Sequence, residues 1–251
     1  MLWLQQFLRG RILNQISRDE IGSIGEQKRL ESSMATANRY LALIRSVLRR
    51  ACLDWEWIEK APKVRMYKEP RGRIRWLTPL QAKTLLEELP LHQREVTLFA
   101  LLTGLRQANV VELTWSHVDL NRHTAWIPGD EAKGRDDIHI SLSQLSVDVL
   151  RRQLGKHANR VFTYRGKPIE QVNTRAWHKA LKRAGIENFR WHDLRHTWAS
   201  WLVQNGTPLF VVQEMGACKS AQMVQRYAHL AHHANVVGGL LCDTKLAQSK
   251  K

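Results

Sequence analysis

Residues 190–208 read RWHDLRHTWASWLVQNGTP. The stretch sets His192, Arg195 and His196 among Trp191, Trp198 and Trp201. From His196 to Gln213 there is no Lys, Arg, Asp or Glu. An uncharged run of this kind, with Gly206 placed as a stop, predicts a buried helix over HTWASWLVQN. Thr207-Pro208 then opens a second helix, PLFVVQEMG. A core helix has no need of two histidines and an arginine at its mouth. On a helix, His192 and Arg195 share a face. An arginine fork beside a histidine suits the oxygens of a phosphate.

The rest of the composition points the same way. Of 251 residues, 39 are Lys or Arg and 23 are Asp or Glu, a formal net charge of +16. That excess favours a polyanionic partner, nucleic acid before an anionic membrane. Hydrophobic residues make up 43%, enough to bury a core in one large domain or two small ones. Cys52, Cys218 and Cys242 have neither disulfide-framework nor metal-ligand spacing, which fits a reducing, cytoplasmic compartment. The N-terminal MLWLQQFLRGRILNQ lacks a basic n-region and is a poor signal peptide. The uncharged run at 196–213 contains Gln204, Asn205, Gly206 and Pro208 and is too polar to span a bilayer. No membrane association is expected.

Three regions emerge along the chain. Residues 1–60 form a small helical unit, dominated by a long amphipathic helix over 34–58. There Tyr40, Leu41, Ile44, Val47, Leu48 and Ala51 recur at helical spacing. Arg39 and Arg45 lie on its basic flank. Residues 61–75 form a linker broken by Pro62, Pro70 and Gly72, in which Lys63, Arg65, Arg71 and Arg73 are candidate phosphate contacts. Residues 76–251 are mainly helical. Thr78 caps a helix with Pro79 at its first position, and a second helix ends near Gly104. From 115 to 142 the pattern turns strand-like. HTAWIP and DIHISL flank the turn-rich tip GDEAKGRD, giving a small antiparallel sheet. Ser220 is placed to cap a last helix, AQMVQRYAHL.

Four segments carry candidate chemistry: TGLR with Arg106, EAKGRD with Lys133, HDLRH with His192 and Arg195, and QRYAHL with Tyr227. Two arginines and a lysine are enough to surround one phosphate. A tyrosine hydroxyl is a usable nucleophile where neighbouring cations favour its phenolate. No carboxylate cluster with divalent-metal spacing accompanies the set, so phosphoryl transfer with arginines neutralising the transition state is expected, without metal or other cofactor.

At this point the chain resembles the tyrosine recombinases of the phage-integrase type. TGLR at 103–106, HDLRHTWAS at 192–200 and MVQRYAHL at 223–230 carry the resemblance, and AKG at 132–134 occupies the hairpin where that family has its lysine. The resemblance implies a catalytic domain preceded by a core-binding domain, closing as a C-shaped clamp on double-stranded DNA and assembling as a tetramer on synapsed sites in the nucleoid. It implies that Tyr227 attacks the scissile phosphodiester, forms a 3′-phosphotyrosyl bond and releases a 5′-hydroxyl. Arg106 and Arg195 would hold the non-bridging oxygens, and Lys133 would protonate the leaving oxygen. His192 would assist proton transfer at the tyrosine or bond the phosphate. Arg135 and Lys219 would join the DNA-binding set.

Two features depart from the pattern. The family usually has a His or Trp at the position where Cys218 stands, and a thiol is a weak substitute donor. The stretch before the linker is short for a core-binding domain, so the chain is expected to begin inside one. These departures motivate a second reading, a catalytically impaired recombinase remnant that only binds DNA. A basic DNA-packaging protein would not account for the ordered set of motifs.

Overall fold

The structure, a computed structural model, describes residues 2–70, 74–129, 137–218 and 220–233. Arg71, Arg73, Lys133, Arg135 and Lys219 lie outside the described residues. The described residues form two compact units that divide between residues 73 and 74.

The first unit contains α1 (Leu2–Leu8), α2 (Arg18–Glu31) and α3 (Met34–Leu53). The hydroxyls of Ser17 and Ser33 accept from the Glu20 and Thr36 amides, satisfying first-turn donors of α2 and α3. Ile21, Ile24, Leu41, Ile44 and Leu48 form the shared core. The expected helix over 34–58 stops at Leu53. Beyond it the amides of Trp55 and Trp57 turn back onto the Arg50 and Ala51 carbonyls, which brings Ile58 into the core. Val47, grouped above with the apolar face, is exposed.

Residues 61–70 carry no helix or strand but are fastened to this unit. The Asn38 side chain donates to the Tyr67 carbonyl and to Glu69, and accepts from the Tyr67 amide at 2.8 Å. Tyr67 in turn donates to Glu26. Polar residues that pull a segment onto a helix this way are not visible as an apolar period.

The second unit is mainly helical. Its helices are α4 (Pro79–Glu88), α5 (Leu91–Thr103), α6 (Gln107–Val111), α7 (Gln144–Arg151), α8 (Arg175–Arg183), α9 (Asp193–Gln204), α10 (Leu209–Met215) and α11 (Ala221–Gln225). Thr78 and Gln81 form a reciprocal capping box with Pro79 at the first turn of α4. Strands β1 (Val118–Asp119), β2 (Thr124–Ile127) and β3 (Ile138–Ser141) make the expected antiparallel sheet in that order. Ala125 pairs with Ile140 and Ile127 with Ile138, so one face of the sheet is buried.

A second sheet was not anticipated. Strands β4 (Thr163–Tyr164) and β5 (Lys167–Pro168) form a hairpin. Arg165 and Gly166 turn it with φ of 52° and 73°, the positive pair that a tight two-residue loop demands. Two-residue strands are too short to leave an alternating signature.

Helix α9 explains its own lack of charge. Leu194 and Trp201 face the main core with Val96, Phe99 and Trp177. Trp198, Ala199 and Val203 face a smaller core with Val212, Val224, Tyr227 and Leu230. A helix buried on both sides has no face for a solvated charge. The Trp201 indole donates to the Leu77 carbonyl, and the Leu77 amide donates to Thr197. The segment entering α4 is thereby stitched to the middle of α9.

The last expected helix divides. Ser220 stands at the N-cap of α11 but makes no side-chain capping bond, and after Gln225 the chain continues as a 3-10 turn over Ala228–His233. The cause lies in the apolar spacing. Val224, Tyr227 and Leu230 are the buried residues here, and a period of three fits a 3-10 turn better than an α-helix. The Tyr227 amide bonds Val224 and the Leu230 amide bonds Tyr227, both at i−3.

Candidate active site

Arg195 projects from the first turn of α9 and is held by backbone from two other segments. Its Nη1 donates to the Gly104 carbonyl at 2.8 Å, and its Nη2 donates to the Gly216 carbonyl. The Cys218 sulfur lies 3.1 Å from Nη2. A guanidinium has five N–H donors, so the fork is fixed in direction and still has donors to offer.

Gly104 makes this approach possible. It caps α5 at φ +65°, and a Cβ built there would stand 2.2 Å from the Trp198 ring. No side chain fits between that backbone and the indole. The carbonyl beside it is the one Arg195 uses.

Two residues further on, Arg106 stands at the N-terminus of α6 and is half-buried. Burial and then the nearby Arg195 charge push its pKa below the ordinary arginine value. Among the described residues neither arginine has a carboxylate partner within ion-pair distance. Two neighbouring cations held without a counter-charge form a site for an anion.

His192 precedes α9 at the rim of this site. Its pKa is lowered by loss of hydration and then by Arg195. Its ring meets that of His196 edge-on, with centroids 5.3 Å apart. Tyr227 is 5% exposed, seated in the smaller core against Trp198, Val203 and Val212. Its hydroxyl lies 2.5 Å from Nδ1 of His196.

The condition set by the sequence, that neighbouring cations favour the phenolate of Tyr227, is not met. Arg226 and Arg195 pull in that direction, but burial outweighs them and pushes the Tyr227 pKa up to about 12. The hydroxyl therefore keeps its proton at neutral pH and needs an acceptor before it attacks anything. The contact to His196 supplies one. Sequence reasoning left His196 without a role. Its four-residue spacing from His192 was the available signal, but that spacing does not reveal a partner 31 residues away in another segment.

Arg106, His192, Arg195, Cys218 and Tyr227 are thus gathered at one place, joined by His196 and Arg226. Lys133 lies outside the described residues. Arg39, Arg45, Lys63 and Arg65 are exposed on the first unit, and none has an ion-pair partner among the described residues. No group of three or more His, Cys, Asp or Glu suited to hold a metal ion occurs among the described residues. No helix among them is long and apolar enough to cross a membrane.

Comparison with known proteins places this geometry in a family. The profile of the Phage integrase family matches residues 75–233. The chain is similar to an integrase of Salmonella phage P22, at 42% identity over 213 residues covering 80% of this chain and 55% of that protein. It is similar to a shufflon-specific DNA recombinase of Escherichia coli, at 29% identity covering 78% of this chain and 51% of the other. The chain thus spans about half the length of these two curated relatives. Its fold is shared with the Tn1549 transposon integrase in complex with transposon right end DNA, at a TM-score of 0.79 and 17% identity, covering 90% of this chain and 85% of that one. It is shared too with a lambda integrase dimer bound to a COC′ core site, at a TM-score of 0.70 and 19% identity, covering 88% and 85%. The matched span contains every motif around the Arg195 site, and the chain belongs to the phage integrase family.

Proposed function

We propose that this chain cleaves and rejoins double-stranded DNA at specific sites through a covalent bond to Tyr227. The observation that carries the reading is the placement of the Tyr227 hydroxyl beside an anion site built from Arg106 and Arg195, with no ion-paired carboxylate on either arginine among the described residues. The names of the relatives, an integrase and a DNA recombinase, support the substrate class.

In this reading the scissile phosphate takes the free donors of Arg195 and the guanidinium of Arg106. Their positive charge stabilises the extra negative charge of the five-coordinate transition state, the work a metal ion does in other phosphoryl-transfer sites. Tyr227 Oη bonds to phosphorus, the 5′-oxygen leaves, and a 3′-phosphotyrosyl ester holds the strand. Lys133 gives the leaving oxygen its proton. His192, at the rim, bonds a phosphate oxygen. A 5′-hydroxyl from a second duplex reverses the step without ATP or metal.

Arg39, Arg45, Lys63, Arg65, Arg71, Arg73, Arg135 and Lys219 supply phosphate contacts along the duplex. Four protomers on synapsed DNA complete the exchange, in the cytoplasm where the nucleoid lies. The test is a nicked suicide duplex, from which the strand beyond the cut diffuses away. Detergent-stable protein–DNA adduct from the wild type and none from Tyr227→Phe supports the reading; no adduct from the wild type contradicts it.

A further inference from the structure

We propose that His196 is a further catalytic residue, whose Nδ1 holds the Tyr227 hydroxyl and takes its proton as the bond to phosphorus forms. The inference rests on the functional reading above but assigns a group which that reading does not use.

Geometry carries it. The hydroxyl of Tyr227 is 2.5 Å from Nδ1 of His196. The two residues are 31 positions apart: His196 lies in α9, and Tyr227 in the turn between α11 and the 3-10 turn at Ala228–His233. His192 is the histidine of the HDLR motif, but it stands a helical turn earlier, with its ring against that of His196. No hydrogen bond joins His192 to Tyr227 among the described residues. The two rings thus divide the work: His192 at the rim with the phosphate, His196 within, on the nucleophile.

The protonation states agree with this assignment. Burial is the largest influence on His196 and lowers its pKa to about 4. His192, Arg226 and Arg195 add to the lowering, and Asp193 opposes it. The ring is neutral at pH 7, so one ring nitrogen is a lone-pair acceptor. Tyr227 holds its proton, with its pKa pushed up to about 12. A protonated hydroxyl facing a neutral imidazole donates to it, which makes Nδ1 the acceptor. A base this weak is idle in the free protein. An incoming phosphate changes that, because its negative charge offsets the arginines that now disfavour imidazolium. Proton transfer is thereby tied to the arrival of DNA.

The step balances. As Oη–P forms, the tyrosine proton passes to Nδ1 and leaves imidazolium. The P–O5′ bond breaks, and the 5′-oxygen takes its proton from a separate acid, Lys133 in the reading above. The phosphodiester carries one negative charge before and after. Rejoining returns the Nδ1 proton to Oη.

The substitution His196→Asn separates holding from proton transfer, because the amide oxygen stands near the Nδ1 position and accepts a hydrogen bond but not a proton. The probe is a pool of nicked duplexes with randomised base pairs around the nick. Adducts recovered from the wild type are sequenced, and the selected duplex is used for rates. The variant is expected to bind that duplex with wild-type affinity and to form adduct about 100-fold more slowly. Its rate should climb about tenfold per pH unit from about pH 7 to 9, since hydroxide must then remove the proton, while the wild-type rate is flat there. A variant within about threefold of wild type, with a parallel pH profile, overturns the proposal and leaves the functional reading standing. A wild type that gives no adduct overturns both. If the variant is unfolded or loses DNA, the nitrogen-15 shifts of His196 in the wild type decide: an unprotonated Nδ1 supports the proposal and an Nδ1–H overturns it.

Discussion

The indole of Trp198 occupies the space in which any side chain on Gly104 would stand. A Cβ there would lie 2.2 Å from the ring, and the backbone at Gly104 already sits at φ +65°. Gly104→Ala therefore incurs two costs, left-handed strain of about 1–2 kcal/mol and overpacking of about 1–3 kcal/mol. Chemical denaturation should report a loss of about 2–5 kcal/mol. Because the same residue's carbonyl holds Arg195, the folded fraction should also form adduct more slowly.

Stability should respond to pH at both ends. The folded-state pKa of His196, about 4, lies below the unfolded value near 6.5. The unfolded chain binds the extra proton first, so stability is full above about pH 6.5 and falls as the pH drops towards 4. Water reaches part of the ring, so the contribution is discounted to about 1–2 kcal/mol. Tyr227, raised to about 12, works in the opposite direction: its share is full below about pH 10 and is lost as the pH rises beyond it. Urea denaturation of wild type and His196→Asn at pH 5 and pH 7 checks the acid limb. The wild type should lose stability between those pH values and the variant should lose less.

Cys218 stands where the resemblance implies a stronger donor, and its sulfur lies 3.1 Å from the Arg195 guanidinium. Arg195 keeps its two carbonyl contacts without that sulfur. Cys218→Ala should cost about threefold in cleavage rate, the worth of one weak contact. Cys218→Trp should raise the rate by restoring an indole donor near the phosphate. Complete loss of cleavage in Cys218→Ala would mean that the thiol itself takes part.

DNA affinity should fall steeply with salt. A net charge of +16 and the exposed Arg39, Arg45, Lys63 and Arg65, without ion-pair partners among the described residues, imply many phosphate contacts. The plot of log affinity against log salt should be steeper than about −5, corresponding to about six displaced counterions. A slope of about −2 would contradict a protein that wraps its duplex.

The parts of this account legible in the sequence share a physical origin. The capped start at Thr78-Pro79, the stop at Gly104 and the uncharged body of α9 each leave a local mark in residue type or spacing. Arg106, His192, Arg195 and Tyr227 stand out as candidates because each sits in a motif whose order survives in one dimension. The hairpin at Thr163–Pro168 was lost because its strands are too short for a period. The break in the last helix was lost because three apolar residues at a spacing of three fit either helix type until their hydrogen bonds are seen. Two features needed coordinates. The bond between His196 and Tyr227 crosses 31 residues, and the balance of burial against charge at the tyrosine hydroxyl depends on what surrounds it. Residue types alone show the charges and not the burial, and burial sets the direction of the shift.

The central claim is that Tyr227 becomes covalently joined to DNA. The most direct measurement is peptide mass spectrometry of the adduct trapped on the selected nicked duplex, after nuclease and protease digestion. The account predicts a nucleotide mass on the tyrosine of the segment MVQRYAHL in the wild type, and no adduct from Tyr227→Phe although that variant still binds the duplex. A nucleotide on any other residue, or an undiminished adduct from Tyr227→Phe, would contradict it.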